Sequence, residues 1–582
     1  MSGTSPVAGA VVKLFKAGSG APASQLASGT TDNNGSFNLG GLPCDQSIAS
    51  STLLYLAVSG GDTGAGPNPA TRLVATLGPC NGADTGKAWM VSEVTTAATA
   101  WALSQFVVAG EDVNLQSSST NAVGLAHAFA TAATLADPRT GRVSTSLPTS
   151  GQCSAAGPPT NCVAEEKLDS LANALAACVR STGSASAQCA RLFACASAGA
   201  TVAGDSCDGG SGTPTDTFAA ALSVARNPGS ISTNGLFLAS SAVSTYQPQL
   251  AAAPHDWTLA RTFAVGSAPE GVAIDSQGNV WIVDENWSAV SRLTATGTAL
   301  PDISGGGLST PLSVAVDEAD NAWISNSANN SVSKFDSGGN PLSGGTGYTG
   351  GGLSTPWGIT VAPSGNIWVV NHNANSITAL DPSGTPLSGT TGYTGGGLNT
   401  SEGIAADQSG KLWIANLDGD SVSAFDSGGK PISGPTGYRG GGFSGPNFDA
   451  VDAQGNIWVC NSGDAVTELS PAGAVLSPAS GYTGGGLFAP FGIAVDGAGN
   501  AWLGNQAETV SEFSSAGVPL SGDRGFGFFV QELDSSLRGI AVDASGNVWV
   551  SADIENEVVE FIGAANPVRT PIVAAIKHGF AP

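Results

Sequence analysis

The sequence predicts a mainly β, multidomain protein. The expected fold is a seven-bladed β-propeller preceded by a small β-sandwich and a disulfide-bearing α-helical domain. Three observations predict it. The phrase Asp-x-x-Gly-Asn-x-Trp returns seven times, with its tryptophans at 281, 323, 368, 413, 458, 502 and 549. Eight of the nine cysteines lie before residue 208. Between residues 90 and 250 the chain turns Ala-rich with apolar residues at helical spacing. The expected boundaries are 1–82 for the sandwich, 83–243 for the helices, 244–256 for a Pro- and Ala-rich linker, 257–566 for the propeller and 567–582 for a C-terminal tail.

Composition bounds the rest. A chain of 582 residues is too long for one core. Its 81 glycines and scarcity of charge indicate a turn-rich β protein. With 45 acidic and 20 basic residues the formal net charge is −25, which disfavours nucleic acid and anionic membranes as partners. No run of eighteen apolar residues occurs, so no membrane span is expected. The opening MSGTSPVAGA already reads as folded domain, and the reading places an export signal upstream of it. Eight cysteines in the loop-rich half, with no C-x-x-C spacing, read as disulfides of an oxidising compartment. Cys44 and Cys80 flank one small domain and are candidates to pair, whereas six others leave fifteen connectivities open. Cys460 reads as a buried small hydrophobe.

In chain order, Val7–Phe15, Leu53–Val58 and Arg72–Leu77 read as strands, and Thr30–Leu39 as a turn feeding another. Helices are expected over Ser92–Phe106, Asn121–Leu135, Val163–Val179 and Pro214–Ala225. Ser92 has a Thr rather than a Glu three residues on, an incomplete capping box. His127 reads as a packed residue of the second helix. Each later repeat holds an apolar run such as Gly271-Val-Ala-Ile-Asp275, the Gly-Asn turn, and a Trp-bearing run such as Val280-Trp-Ile-Val283. An alternating run such as Ser331–Phe335 follows, and then a short fourth strand near Pro341-Leu342. Four strands in about 45 residues make a blade, and a closed ring is preferred to an open solenoid because it leaves no bare edge. The segment 257–265 stands as a strand without a blade and is expected to close the ring on the last repeat.

The phrase P-x-G-I-A-V-D-x-x-G-N-x-W-V resembles the NHL repeat and the virginiamycin B lyase-like propellers, over about residues 257–562. The pattern V-x-G-A-x-V-x-L with T-D-x-x-G-x-F-x-L resembles carboxypeptidase regulatory-like and collagen-adhesin B-type domains, which implies a stalk or spacer on exported proteins. The helical segment resembles those joined to NHL-type propellers in exported bacterial proteins. The resemblance thus implies a bacterial extracellular or cell-envelope location.

The candidate site is one face of the propeller. Residues before the turn glycine reach the channel mouth: Glu270, Trp357, Glu402, Phe491 and Arg538, with Asn447 in a variant repeat. Loops after the second strand add Trp287, His372 and several amides and acids, and the inter-blade loops add Tyr348, Tyr393, Tyr438 and Tyr482. Aromatic rings with amides and few charges suit a glycan or peptide, so a non-catalytic binding or scaffold module is expected, as a monomer. Structural roles repeat and sites usually do not, which favours packing for the tyrosines and recognition for Trp287, Trp357, His372, Glu402 and Arg538. The alternative is a lyase or lactonase-like hydrolase with an acidic metal site. Virginiamycin-type lyases use a His base with carboxylates and Mg²⁺, but here only His372 falls inside a repeat. Asp418 and Asp420 are weak ligands for Ca²⁺ or Mg²⁺, and no cofactor is expected.

Overall fold

The computed structural model describes residues 5–40, 44, 49–80, 88–108, 110, 112–145, 162–203, 206–527 and 536–581. The chain divides into two compact units, Met1–Arg261 with Phe561–Ala564, and Thr262–Glu560 with Ala565–Pro582.

In the first unit, alternation of apolar residues builds one antiparallel sheet in the order Ser24–Thr30, Val11–Lys16, Leu53–Ser59, Arg72–Pro79. Val12, Leu14, Leu56 and Leu73 bury one face, while Phe15, Tyr55 and Val74 on the other pack in a core with α1, Glu93–Ala102. A helix thus covers the second face, where a sandwich would set another sheet. Phe37-Asn38-Leu39 is not a strand. Asp32 Oδ1 accepts from the amides of Asn34 and Ser36, a side-chain-closed turn that takes those residues out of sheet pairing. Ser92 caps α1 in a complete capping box, because the Thr95 hydroxyl accepts the Ser92 amide at 2.9 Å, as a glutamate would. The other expected helices are α2, Ala122–Leu135, α3, Cys162–Val179, and α5, Thr217–Arg226. Two short ones join them, α4, Ala187–Cys195, and α6, Thr233–Ser241. Disulfides link Cys44 to Cys80, Cys178 to Cys189 and Cys195 to Cys207. Cys153 lies outside the described residues.

In the second unit each repeat forms its own antiparallel sheet, seven in all among the described residues. Their innermost strands are Pro269–Ile274, Pro311–Val316, Pro356–Val361, Ser401–Ala406, Pro446–Val451, Gly492–Val495 and Leu537–Val542. Each packs on the next and the last packs on the first, a closed β-propeller-like ring. Ala260–Ala264 pairs with Glu557–Phe561 of the seventh repeat, so the segment expected to close the ring does so. Trp257 and Leu259 instead belong to the helical core of the first unit. The fourth strand is worn down in several repeats to isolated bridges such as Phe335 to Pro341 and Val332 to Tyr348.

The repeated phrase is a hydrogen-bonded lock. Asp275 Oδ1 accepts the amides of Gln277 and Asn279 at 2.9 and 2.8 Å, which closes the turn. Its Oδ2 accepts Asn279 Nδ2 at 2.9 Å and the buried Trp281 indole N–H at 3.1 Å. The Asp–Trp bond recurs at Asp317, Asp407, Asp452, Asp496 and Asp543, but the third repeat has Ala362. The turn glycine takes a left-handed φ, and in the second repeat Asp320 adopts φ 59° in its place. A second device joins repeats. A residue just before the innermost strand takes positive φ, and its amide is held by the preceding repeat. Asn330 Oδ1 takes that of Thr355, Asn375 that of Thr400, Asp420 that of Gly445, Asp464 that of Ala489, and Asn556 that of Ala268. The last of these crosses the point of closure.

Residues expected as a tail form α7, Ile572–His578, whose Ile572 and Ile576, with Phe580, line the channel of the ring at the end bearing the Gly-Asn turns. Lys577 and His578 reach Glu318 of that turn in the second repeat at 2.6 and 3.0 Å.

Two measurements check this account. Asp275→Ala leaves the indole and two amides without their acceptor and is expected to lower stability by about 1–3 kcal/mol in denaturant unfolding. Alkylation after unfolding without reductant, read by peptide mapping, is expected to modify Cys460, which is free and buried, and to leave the six cysteines of the three disulfides unmodified.

Candidate functional site

The residue before each turn glycine stands at the end of the channel opposite α7. There Glu270, Leu312, Phe448, Phe491 and Arg538 line a cavity of about 100 Å³. Arg538 is its centre. Its Nε lies 2.9 Å from Asp553 Oδ2 and 3.8 Å from Glu270 Oε1, and its guanidinium sits 4.5 Å above the Phe491 ring. Phe448, standing where other repeats have Gly or Ser, packs on Phe491 at 5.2 Å. Asn447 donates to Ser462 Oγ and the Pro490 carbonyl. Three repeats away from Arg538, Glu402 is buried and its Oε2 has no hydrogen-bond partner. Trp357 is half-buried and tilts against His372 at 4.9 Å, while His372 Nδ1 lies 3.2 Å from the Ser401 carbonyl. Trp287 is 60% exposed.

Electrostatics at the mouth are dominated by burial. Burial pushes the Glu270 carboxyl up to about 8, the Arg538 charge pulls it back, and Glu285, Asp553 and Glu402 push it further up. Burial likewise raises Glu402 to about 7, against Arg538 and with Asp418. Acids thus outnumber the one guanidinium, and part of their charge is withheld at neutral pH.

The other expected residues are structural. Tyr348, Tyr393, Tyr438 and Tyr482 each lie 5.7 Å from a repeat tryptophan, namely Trp323, Trp368, Trp413 and Trp458. They pack against the next repeat, where a Cβ on Gly384 would sit 2.3 Å from the Tyr348 ring. Asn326, Asn371, Asn416, Asn461 and Asn505 are buried, and their amides bond Ser, Thr or backbone groups of their own sheets. Asp418 Oδ2 accepts from Thr400 Oγ1, and Asp420 holds Gly445, so both weak metal candidates serve loops. Among the described residues no group of three or more His, Cys, Asp or Glu is placed to hold a metal ion.

Sequence reasoning missed Asp553, the closest partner of Arg538, because acids and amides recur in the loops after the second strand and nothing local marks this one. It also read Cys460 too simply. Its thiol lies 2.8 Å from the Phe491 carbonyl and donates to it, fixing the mouth residue of the next repeat, and burial pushes it up to about 12. Ser325 and Ser551 bond the Trp357 and Glu270 carbonyls in the same way. Asp449 was missed as well, although an acid in a strand position that other repeats fill with Val or Ile is the signal that marks it.

The class that fold and site define is a β-propeller-like protein with a mixed aromatic and ionic axial mouth. No family model and no curated protein matches the chain. Among solved structures it is similar to a catalytically inactive virginiamycin B lyase from Staphylococcus aureus with quinupristin, at 16% identity, TM-score 0.42, over 52% of this chain and 98% of that one. A streptogramin B lyase structure gives 17% identity and TM-score 0.42, over 52% and 96%. The ring is defined by this chain's own sheet order, and no site residue is carried over.

Raised carboxyl groups give a signed pH dependence. Between the ordinary glutamate value and about 7, the folded protein holds a proton on Glu402 that the unfolded chain has released. Stability is therefore lost as pH rises through that window. Glu402→Gln is expected to flatten the fall of Tm between about pH 5 and 8; an unchanged slope would show Glu402 to be ionised throughout.

Proposed function

We propose that the ring is a seven-bladed NHL-type propeller and that the protein is an exported or cell-surface, non-catalytic binding module, monomeric, that holds a glycan or peptide at the axial mouth. The observation that carries this reading is the convergence of non-repeating residues. Glu270, Trp357, Glu402, Phe491 and Arg538 come from five repeats at the one strand position that ends at the mouth. Everything repeated nearby is engaged in holding the ring. A cationic ligand group, a basic peptide side chain or an amino sugar, would draw the raised Glu270 and Glu402 into their ionised forms, which with Asp553 outnumber the single Arg538. Trp357 and the exposed Trp287 offer flat apolar faces beside it. Three disulfides support an oxidising compartment. In this reading 1–82 and 83–243 present the propeller through the linker 244–256. The alternative of a metal-dependent lyase or hydrolase has no observation in its favour, since His372 is engaged with Trp357 and the Ser401 carbonyl.

A peptide and glycan array probed with the intact protein tests the reading. Trp357→Ala and Trp287→Ala are expected to weaken binding several-fold with little change in Tm, each indole being worth about 1–3 kcal/mol against a ligand. Trp368→Ala, which empties a buried site between repeats, is expected to cost about 3–5 kcal/mol of stability. If Trp357→Ala unfolds the protein, or neither substitution changes binding, the face is structural.

A further inference from the structure

The channel below the mouth is a separate cavity of about 190 Å³ within the ring. Its upper tier comes from one position of each innermost strand: Val272, Val314, Ile359, Ile404, Ile493 and Ile540, and in the fifth repeat Asp449. A second tier, two residues further along, is aliphatic from Ile274 to Val542, and the floor is Ile572, Ile576 and Phe580. Asp449 therefore interrupts a tier that is hydrocarbon in the other six repeats, while Thr360, Arg569 and Thr570 are the further polar residues of the wall. Asp449 is 8% exposed, and no side chain and no charged group bonds its oxygens, which have only the backbone of Ala405 and of Asp449 itself nearby, short of full hydrogen-bond geometry. Nothing in the fold of the fifth repeat requires it, since the six other repeats build the same strand with Val or Ile.

We propose that the channel is a second binding site, one that takes a small organic ammonium with a compact hydrocarbon body, its charge on Asp449. An apolar cavity has no use for an unpaired carboxyl, whose burial is unfavourable unless a partner meets it. An ammonium presents three donors and the compensating charge to an acceptor-only carboxylate. The hydrocarbon body then covers the aliphatic tiers. Size sets the body: an apolar cavity of about 150 Å³ holds a benzene ring, so this one suits a six-membered ring carrying a single amine. Arg569, the other charged residue on the wall, belongs to the floor segment, with its amide bonded to the Phe580 carbonyl. Its charge repels a cation from the floor and directs the amine to the upper tier. Burial holds the Asp449 carboxyl well above its ordinary range, opposed by the nearby backbone of Ala405 and Asp449, so ligand binding is expected to release its proton.

Calorimetric titration of the full chain with cyclohexylamine, cyclohexanol and benzene tests the proposal. Wild type is expected to bind cyclohexylamine about tenfold or more tighter than cyclohexanol. Asp449→Asn, which keeps the shape, is expected to lose that preference. Asp449→Ile, which copies the neighbouring repeats, is expected to lose the amine and to bind benzene at least as well as wild type, which shows that its cavity remains folded. Equal affinity of wild type and Asp449→Asn for the amine would overturn the proposal, as would failure of wild type to bind it at millimolar concentration.

Discussion

The structure depends on one carboxylate. In six of the seven repeats an aspartate at the end of the innermost strand closes the turn with its Oδ1 and fixes the tryptophan indole with its Oδ2. The turn and the largest packing residue of each sheet are thereby set by a single side chain within seven residues. The fixed indole then takes a ring from the outer strand on one side, and in three repeats a cation near its face, from Arg292, Lys334 or Lys411. Where Ala362 replaces the aspartate, Trp368 keeps its burial and its Tyr393 contact, so apolar packing sustains the position and the carboxylate orients it.

That rigidity leaves non-repeating side chains to a few positions. The loops at the mouth carry many polar residues, but their amides and acids clasp one repeat to the next, and left-handed residues are held there by those clasps. Apart from Asn447, which bonds the Pro490 carbonyl of the next repeat, the side chain before the turn glycine and the one two residues on face the axis and take no part in these clasps. Variation there changes chemistry without disturbing the ring. Glu270, Glu402 and Asp449 all occupy such positions, and all meet a desolvated environment where a charge matters most.

Much of this was legible. Periodicity marked the seven repeats, helical spacing and caps marked the main helices, and the position before the turn glycine marked the mouth. Misreadings have physical sources. Phe37 looked like the strand partner of a Gly turn, but Asp32 closes that turn on its own backbone. The tyrosines, by contrast, read as packing ahead of recognition, and the glycine of the next repeat, with no Cβ to obstruct the ring, accords with that. The C-terminal residues were too short and too weakly periodic to read as a helix, which α7 becomes by burying Val573, Ala575 and Ile576.

By itself the sequence determined the strands and their order within each repeat. Those features rest on local hydrogen bonds, turn chemistry and alternation of apolar residues, all of which act over a few positions. Tertiary structure alone decided which groups meet between repeats: Glu270 with Arg538 across the point of closure, Cys460 with the Phe491 carbonyl, and Lys577 of α7 with Glu318 of the second repeat. Such contacts join residues of different repeats that carry no shared pattern. They form only because ring closure brings seven strand ends to one axis, where exclusion of water turns a few unmatched charges into the strongest forces present.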